Sequence, residues 1–146
     1  MFNKETEYAL RSLVYIQQKN NENKKPGIIE ISAEIGVPQF YIAKILQRMV
    51  RQGFLESMKG KGGGFYFDNA KNPVSLIDLV LAIEGNRTFE GCLFGLKQCN
   101  DNNPCPMHFQ FAAIRDGMKK LLIEETIQSL ANKLNEGTEI KFNWLG

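Results

Sequence analysis

The sequence predicts a mainly α-helical fold with one small β-hairpin: a winged helix-turn-helix head followed by a long C-terminal dimerisation helix. Three observations predict it. Apolar residues recur at three- and four-residue steps in three segments of the first 52 residues. The glycine-rich run Gly60-Lys61-Gly62-Gly63-Gly64 lies between two short segments of strand character. A further helical segment spans about Pro106 to Glu124.

The first helix is expected over residues 4–20, with Tyr8, Ala9, Leu13 and Ile16 along one face. The polar run from Lys19 to Pro26 reads as a solvated loop. A second helix is expected over 28–35, presenting Ile28, Ile31 and Ile35 inward until Gly36 breaks it. Pro38 suits the start of the next helix, because its missing N–H would be unpaired there. That third helix is expected from Gln39 to about Gln52, with Ile42, Ile45, Leu46 and Met49 as its buried stripe and Gly53 at its C-terminal end. Leu55–Met58 and Phe65–Phe67 are the strand candidates of the hairpin. Ser75 followed by Asp78 predicts a side-chain-capped helix through Glu84. Residues 85–105 show no helical period. After the long helix, Thr126 is expected to cap a short one ending near Leu134, and Glu139–Leu145 alternates weakly enough to suggest a strand. The organisation expected is a head over 1–84, a cysteine-bearing loop over 85–105, and a dimerisation helix with tail over 106–146.

Composition narrows the function classes. The chain of 146 residues is 43% hydrophobic, enough for a packed core. No apolar run approaches the roughly 20 residues of a membrane helix. Acids by Glu7 make the N-terminus unlike a secretion signal, so a cytoplasmic protein with no membrane partner is expected. In that compartment three cysteines read as thiols or metal ligands before they read as a disulfide framework. The net charge is +2, but residues 1–66 carry +4 and residues 67–146 carry −2, which makes the first half the candidate for nucleic acid.

A helix whose one stripe is buried leaves its other face free for the major groove of DNA. On the third helix that face carries Gln39, Phe40, Ala43, Lys44, Gln47 and Arg51, with Tyr41 at its edge. Amide and basic side chains there can donate to base edges and phosphates. Lys59 and Lys61 at the hairpin tip suit backbone or minor-groove contact. The same elements also fit a protein-interaction module. A phosphate-binding loop is excluded, since the glycine run lacks the G-x-x-x-x-G-K-[ST] order and leads into a strand.

Cys92, Cys99 and Cys105 form the pattern C-x6-C-x5-C, and His108, the one histidine, follows three residues after the last. Thiolates with an imidazole suit soft metals and Fe–S clusters. Zinc is the competing metal, although its usual C-x2-4-C knuckle is missing. Three bare thiols are the metal-free alternative. A cysteine-nucleophile enzyme would need a base, and His108 alone is available, so no catalytic set is assigned. On the long helix, Phe111, Ile114, Met118 and Leu121 form a heptad-like stripe that suits a second copy or the same chain's head.

Tyr8-Ala9-Leu10-Arg11, Ile31-Ser32 through Gly36-Val37, Tyr41 with Leu46, and Gly60-x-Gly62-Gly63-Gly64-Phe65 together resemble the Rrf2 family of winged-helix transcription regulators, over roughly residues 1–134. The resemblance implies a homodimer with crossing long helices, two heads on double-stranded DNA at a pseudo-palindromic operator, and repression as one regulatory outcome. It also implies that some members hold an Fe–S cluster, here expected to be [2Fe–2S] on the three cysteines and His108. Other members lack a cluster and respond to a partner protein or thiol oxidation. Glu7 lies where some gas- or redox-sensing relatives supply a carboxylate ligand, but a solvated acid at a helix N-terminus is the reading preferred for it. Two departures stand out. Ala43 and Lys44 replace an acidic residue followed by Gln, so the operator is not carried over. The first cysteine gap is six residues where five is usual.

Overall fold

The computed structural model describes residues 2–135. Its elements in order are α1 (Lys4–Asn21), α2 (Ile28–Ile35), α3 (Gln39–Arg51), β1 (Glu56–Met58), β2 (Gly64–Tyr66), α4 (Leu76–Glu84), α5 (Arg87–Glu90), α6 (His108–Glu124) and α7 (Ile127–Asn135). They form two compact units: the chain up to Val74 together with residues from Thr126, and Ser75–Glu125. The division therefore differs from the expected 1–84, 85–105 and 106–146. α4 joins the second unit, and α7 returns to the first.

In the first unit α1 packs on α2, α3 and α7. Asn3 opens α1 by accepting the Thr6 N–H at 2.8 Å. Ala9, Leu13 and Ile16 are buried as expected, with Ile31 and Ile35 of α2 and Ile42, Ile45, Leu46 and Met49 of α3. Each fully buried Leu or Ile of this set contributes about 1.5–3 kcal/mol of transfer free energy. Gly36 ends α2 in the left-handed region at φ 77°, and Pro38 starts the next helix. The end of α3 is closed by the Phe54 N–H on the Met49 carbonyl at 3.0 Å, with Gly53 at φ 82° making the turn. Thr126 caps α7 as expected. Its hydroxyl accepts the Ser129 N–H at 2.9 Å, and the Ser129 hydroxyl accepts the Thr126 N–H at 2.8 Å.

The hairpin is antiparallel, pairing Glu56 with Tyr66, Ser57 with Phe65 and Met58 with Gly64. β1 starts one residue later than the apolar pattern suggests and β2 lies one residue earlier, with Asn20 bound along the edge of β2. The Asn20 side-chain oxygen takes the Phe67 N–H at 2.8 Å, just past the end of β2. Its amide donates to the carbonyls of Lys24 at 2.9 Å and Phe65 at 3.2 Å. The stretch expected as a loop from Lys19 is therefore helical to Asn21 and anchors the wing. Gly64 is required here: a Cβ on it would strike the Lys25 carbonyl oxygen.

In the second unit α6 packs against α4 and α5. The Ser75 hydroxyl makes no capping bond, contrary to expectation, and the first helical N–H, that of Leu76, goes to the Glu125 carbonyl at 3.1 Å. The segment expected to lack helix contains the single turn α5, which buries Phe89 and closes with the Gly91 N–H on the Arg87 carbonyl at 2.8 Å. α6 starts at His108, two residues later than expected, and the turn before it is closed by the His108 N–H on the Cys105 carbonyl at 3.1 Å. The strand expected over Glu139–Leu145 lies outside the described residues. Among the described residues, no helix is long and apolar enough to cross a membrane.

Candidate nucleic-acid interface and cysteine site

Gln39, Phe40, Tyr41, Lys44, Gln47 and Arg51 are all exposed on α3, and Ala43 is half-buried among them. Burying Ile42, Ile45, Leu46 and Met49 aims this face outward, so the helix presents amide and cation in alternation: Gln39, Lys44, Gln47 and Arg51. α3 is tied to α1 by the Arg48 guanidinium on the Glu5 carboxylate at 2.8 Å. Tyr41 meets Tyr8 of α1 edge-on at 5.8 Å, and the Arg11 guanidinium lies 5.2 Å from the Tyr8 ring. On the wing, Lys59 and Lys61 are exposed, and Gly60 and Gly62 at φ 90° and 77° turn the tip.

The cysteines converge. The Sγ atoms of Cys92, Cys99 and Cys105 all lie within 4.8 Å of one another, although the residues span 14 positions of chain. The Cys92 and Cys105 sulfurs are 3.7 Å apart. Backbone N–H groups face the sulfurs: Phe94 donates to Cys92 and Cys105 to Cys99, each at 3.4 Å. His108 joins the group through Nδ1, 3.2 Å from the Cys99 sulfur, and its Nε2 is 2.7 Å from the Asp101 carboxylate. An imidazole held by a carboxylate on Nε2 directs Nδ1 toward the sulfurs. Arg115 of α6 braces the start of the loop by donating to the Gly91 carbonyl at 2.7 Å. Glu7 belongs to the first unit and pairs with Lys4 at 3.2 Å.

These contacts separate the thiols. The Leu96 N–H, with the Phe94 N–H and the neighbouring thiols, holds Cys92 down at about 7 against the opposing effect of burial. The Cys105 N–H favours the Cys99 thiolate, but burial and the adjacent Cys105 and Cys92 thiols outweigh it and push Cys99 up. A lowered value means thiolate at lower pH, and the thiolate is the nucleophile. In metal-free protein treated with iodoacetamide, Cys92 is therefore expected to alkylate first, with its rate half-maximal near pH 7. Cys99 should require higher pH. Peptide mass spectrometry showing a common onset for both would contradict this order.

A sequence profile of the Rrf2 family, described as "Iron-dependent Transcriptional regulator", matches residues 2–133. The chain belongs to the Rrf2 family. Among relatives of this Rrf2 protein, a putative HTH-type transcriptional regulator of Aquifex aeolicus is 24% identical over 134 residues, covering 90% of this chain and 92% of that protein. The HTH-type transcriptional repressor NsrR of Streptomyces coelicolor is 30% identical over 102 residues, covering 70% of this chain and 64% of that protein. The fold matches the solved structures of T. potens IscR, with a TM-score of 0.72 at 15% identity over 97% of this chain and 93% of that one. It also matches the global cysteine regulator CymR of B. subtilis, with a TM-score of 0.71 at 18% identity over 91% and 97%. This Rrf2 chain is thus a DNA-binding winged-helix transcription regulator and not an enzyme.

Three supporting residues of the Rrf2 chain escaped the sequence reading. Asn20 sits in an asparagine-rich run that looks like any solvated loop. Asp101 sits in another. Arg115 has the appearance of a surface cation. Nothing in their local spacing marks them, because each acts on a group far along the chain or across a turn.

Proposed function

We propose that the chain is a homodimeric regulator of double-stranded DNA whose affinity or choice of site is set by an Fe–S cluster on Cys92, Cys99 and Cys105, with His108 as fourth ligand. The convergence of three sulfurs within 4.8 Å carries this proposal. The donor set fits: soft thiolates, backbone N–H groups on two sulfurs, and an imidazole oriented by Asp101. [2Fe–2S] is the cluster proposed, with Glu7 as the alternative fourth ligand. When bound, such a cluster supplies one-electron chemistry and a site reactive toward oxidants or nitric oxide. The chain's own part is to order the loop 91–105, which runs directly into α6. α6 carries the proposed dimer contact, so ordering the loop biases the arrangement of the two copies by population shift.

Support for the dimer lies on α6. Ile114 is 63% exposed and Leu121 is 61% exposed, while Phe111 and Met118 are half-buried beside them. Gly117 lies between the two exposed residues, and a Cβ there would meet nothing in this chain. A mid-helix glycine costs about 1 kcal/mol relative to alanine, which is offset where a second helix approaches closely.

On DNA, Gln39, Lys44, Gln47 and Tyr41 are proposed to face base edges, and Arg51, Lys59 and Lys61 the phosphates. Lys59→Ala with Lys61→Ala is expected to weaken cognate and random duplexes alike. The slope of log affinity against log salt should fall by about two, one per lost phosphate contact. An unchanged slope would remove the wing from the interface.

One observation favours a second reading. All three sulfurs lie within 4.8 Å of one another, which suits three corners of one tetrahedral ion, whereas the 3.7 Å between Cys92 and Cys105, close to one tetrahedral edge, fits a single iron of a cluster equally. With metal–sulfur bonds of about 2.3 Å that edge is about 3.8 Å. Anaerobic isolation followed by assay of iron, acid-labile sulfide, zinc and visible absorption separates the readings. Iron with sulfide and a coloured protein is the expected result. Zinc without colour would favour the single ion, and no metal after reconstitution with iron and sulfide would leave a thiol- or partner-controlled regulator.

A further inference from the structure

We infer that Phe40 reads the 5-methyl group of a thymine in the major groove and is a specificity-determining residue of this regulator. The inference rests on α3 being the helix that enters the groove. Phe40 lies in the first turn of α3 and is 68% exposed. It has no part in the core, because Ile42, Ile45, Leu46 and Met49 already fill the buried stripe. Yet its ring is held in place. It meets Tyr41 edge-on at 6.1 Å, Tyr41 meets Tyr8 at 5.8 Å, and the Arg11 guanidinium lies 5.2 Å from Tyr8. Three rings thus connect the tip of α3 to α1, which preorganises an apolar surface that water disfavours.

The neighbours say what covers that surface. Gln39 and Lys44 flank Phe40, and Ala43 lies one turn on. Amide and ammonium groups suit the polar edges of bases, and the cations suit an anionic partner over an apolar protein one. Among the groups the four base pairs present in the major groove, the thymine methyl is the apolar one, and phenyl and alanine side chains are its usual contacts. Phe40 with Ala43 supplies such an apolar seat beside donors that fix the register.

The test removes the methyl group alone. A cognate duplex is selected with the wild-type protein from a randomised pool, and each thymine is replaced in turn by deoxyuridine. Affinity is read by fluorescence anisotropy at one salt concentration. Burial of one methyl-sized group is worth about 0.8 kcal/mol, so one thymine per half-site should lose about fourfold on replacement. Phe40→Ala should lose that sensitivity at the same position and keep the wild-type salt slope. The inference is overturned if no thymine is sensitive, or if Phe40→Ala retains the same sensitivity. It is likewise overturned if Phe40→Ala alters oligomeric state and leaves DNA affinity unchanged, since Phe40 would then face protein. Failure to enrich any duplex would instead remove α3 as the reading helix, and this inference with it.

Discussion

Ile114→Glu combined with Leu121→Glu is expected to convert the protein to a monomer. Binding to a duplex with two half-sites should weaken by about 10²- to 10⁴-fold, because linked engagement of two heads is lost. Both side chains stand exposed on α6, separated by two helical turns, with Gly117 between them. In the isolated chain the substitutions place charges in water and cost little. In a dimer seam they bury four carboxylates without partners, each at several kcal/mol. The asymmetry makes the outcome diagnostic: sedimentation should show half the mass with the helical content of the chain unchanged. A dimer that persists at micromolar concentration would place the contact on another surface.

Cys99→Ser is expected to reduce bound iron and visible absorption to background after gel filtration under anaerobic conditions. Cys99 is the hub of the site: its sulfur accepts the Cys105 N–H at 3.4 Å and lies 3.2 Å from His108 Nδ1. A serine oxygen is a harder and shorter donor than thiolate, so it suits the soft ion poorly. Salt-dependent binding to random DNA should be preserved, because the cations of α3 and the wing belong to the other compact unit. His108→Ala should have the smaller effect of a labile cluster and a shifted spectrum. If His108→Ala changes neither while Glu7→Ala changes both, the fourth ligand is Glu7.

Much of this was legible in the chain because it depends on local rules. The stripe Ile42, Ile45, Leu46 and Met49 reveals α3 and, by subtraction, its outward face. The glycines of the wing reveal a hairpin, since Gly60 and Gly62 take left-handed backbone and Gly64 sits against the Lys25 carbonyl. What remained hidden is set by long-range packing. Asn20 reaches 47 residues along the chain to the Phe67 N–H and so ties the wing to α1. Ser75 looks like a helix cap, yet its hydroxyl makes no capping bond, and the start of α4 is held by the Glu125 carbonyl on the Leu76 N–H. α5 is too short for periodicity to reveal. In the cysteine site the three sulfurs and His108 were visible as soft ligands. Asp101, which orients His108, was hidden among asparagines because the loop fold alone brings it within 2.7 Å.

Metal at the three sulfurs is proposed to control DNA binding. The most direct measurement is the titration of one selected duplex with one protein preparation, before and after its iron is removed under anaerobic conditions, and again after reconstitution. A change in affinity or preferred site that reverses on reconstitution is the predicted result. Superimposable curves with the iron demonstrably gone would contradict it.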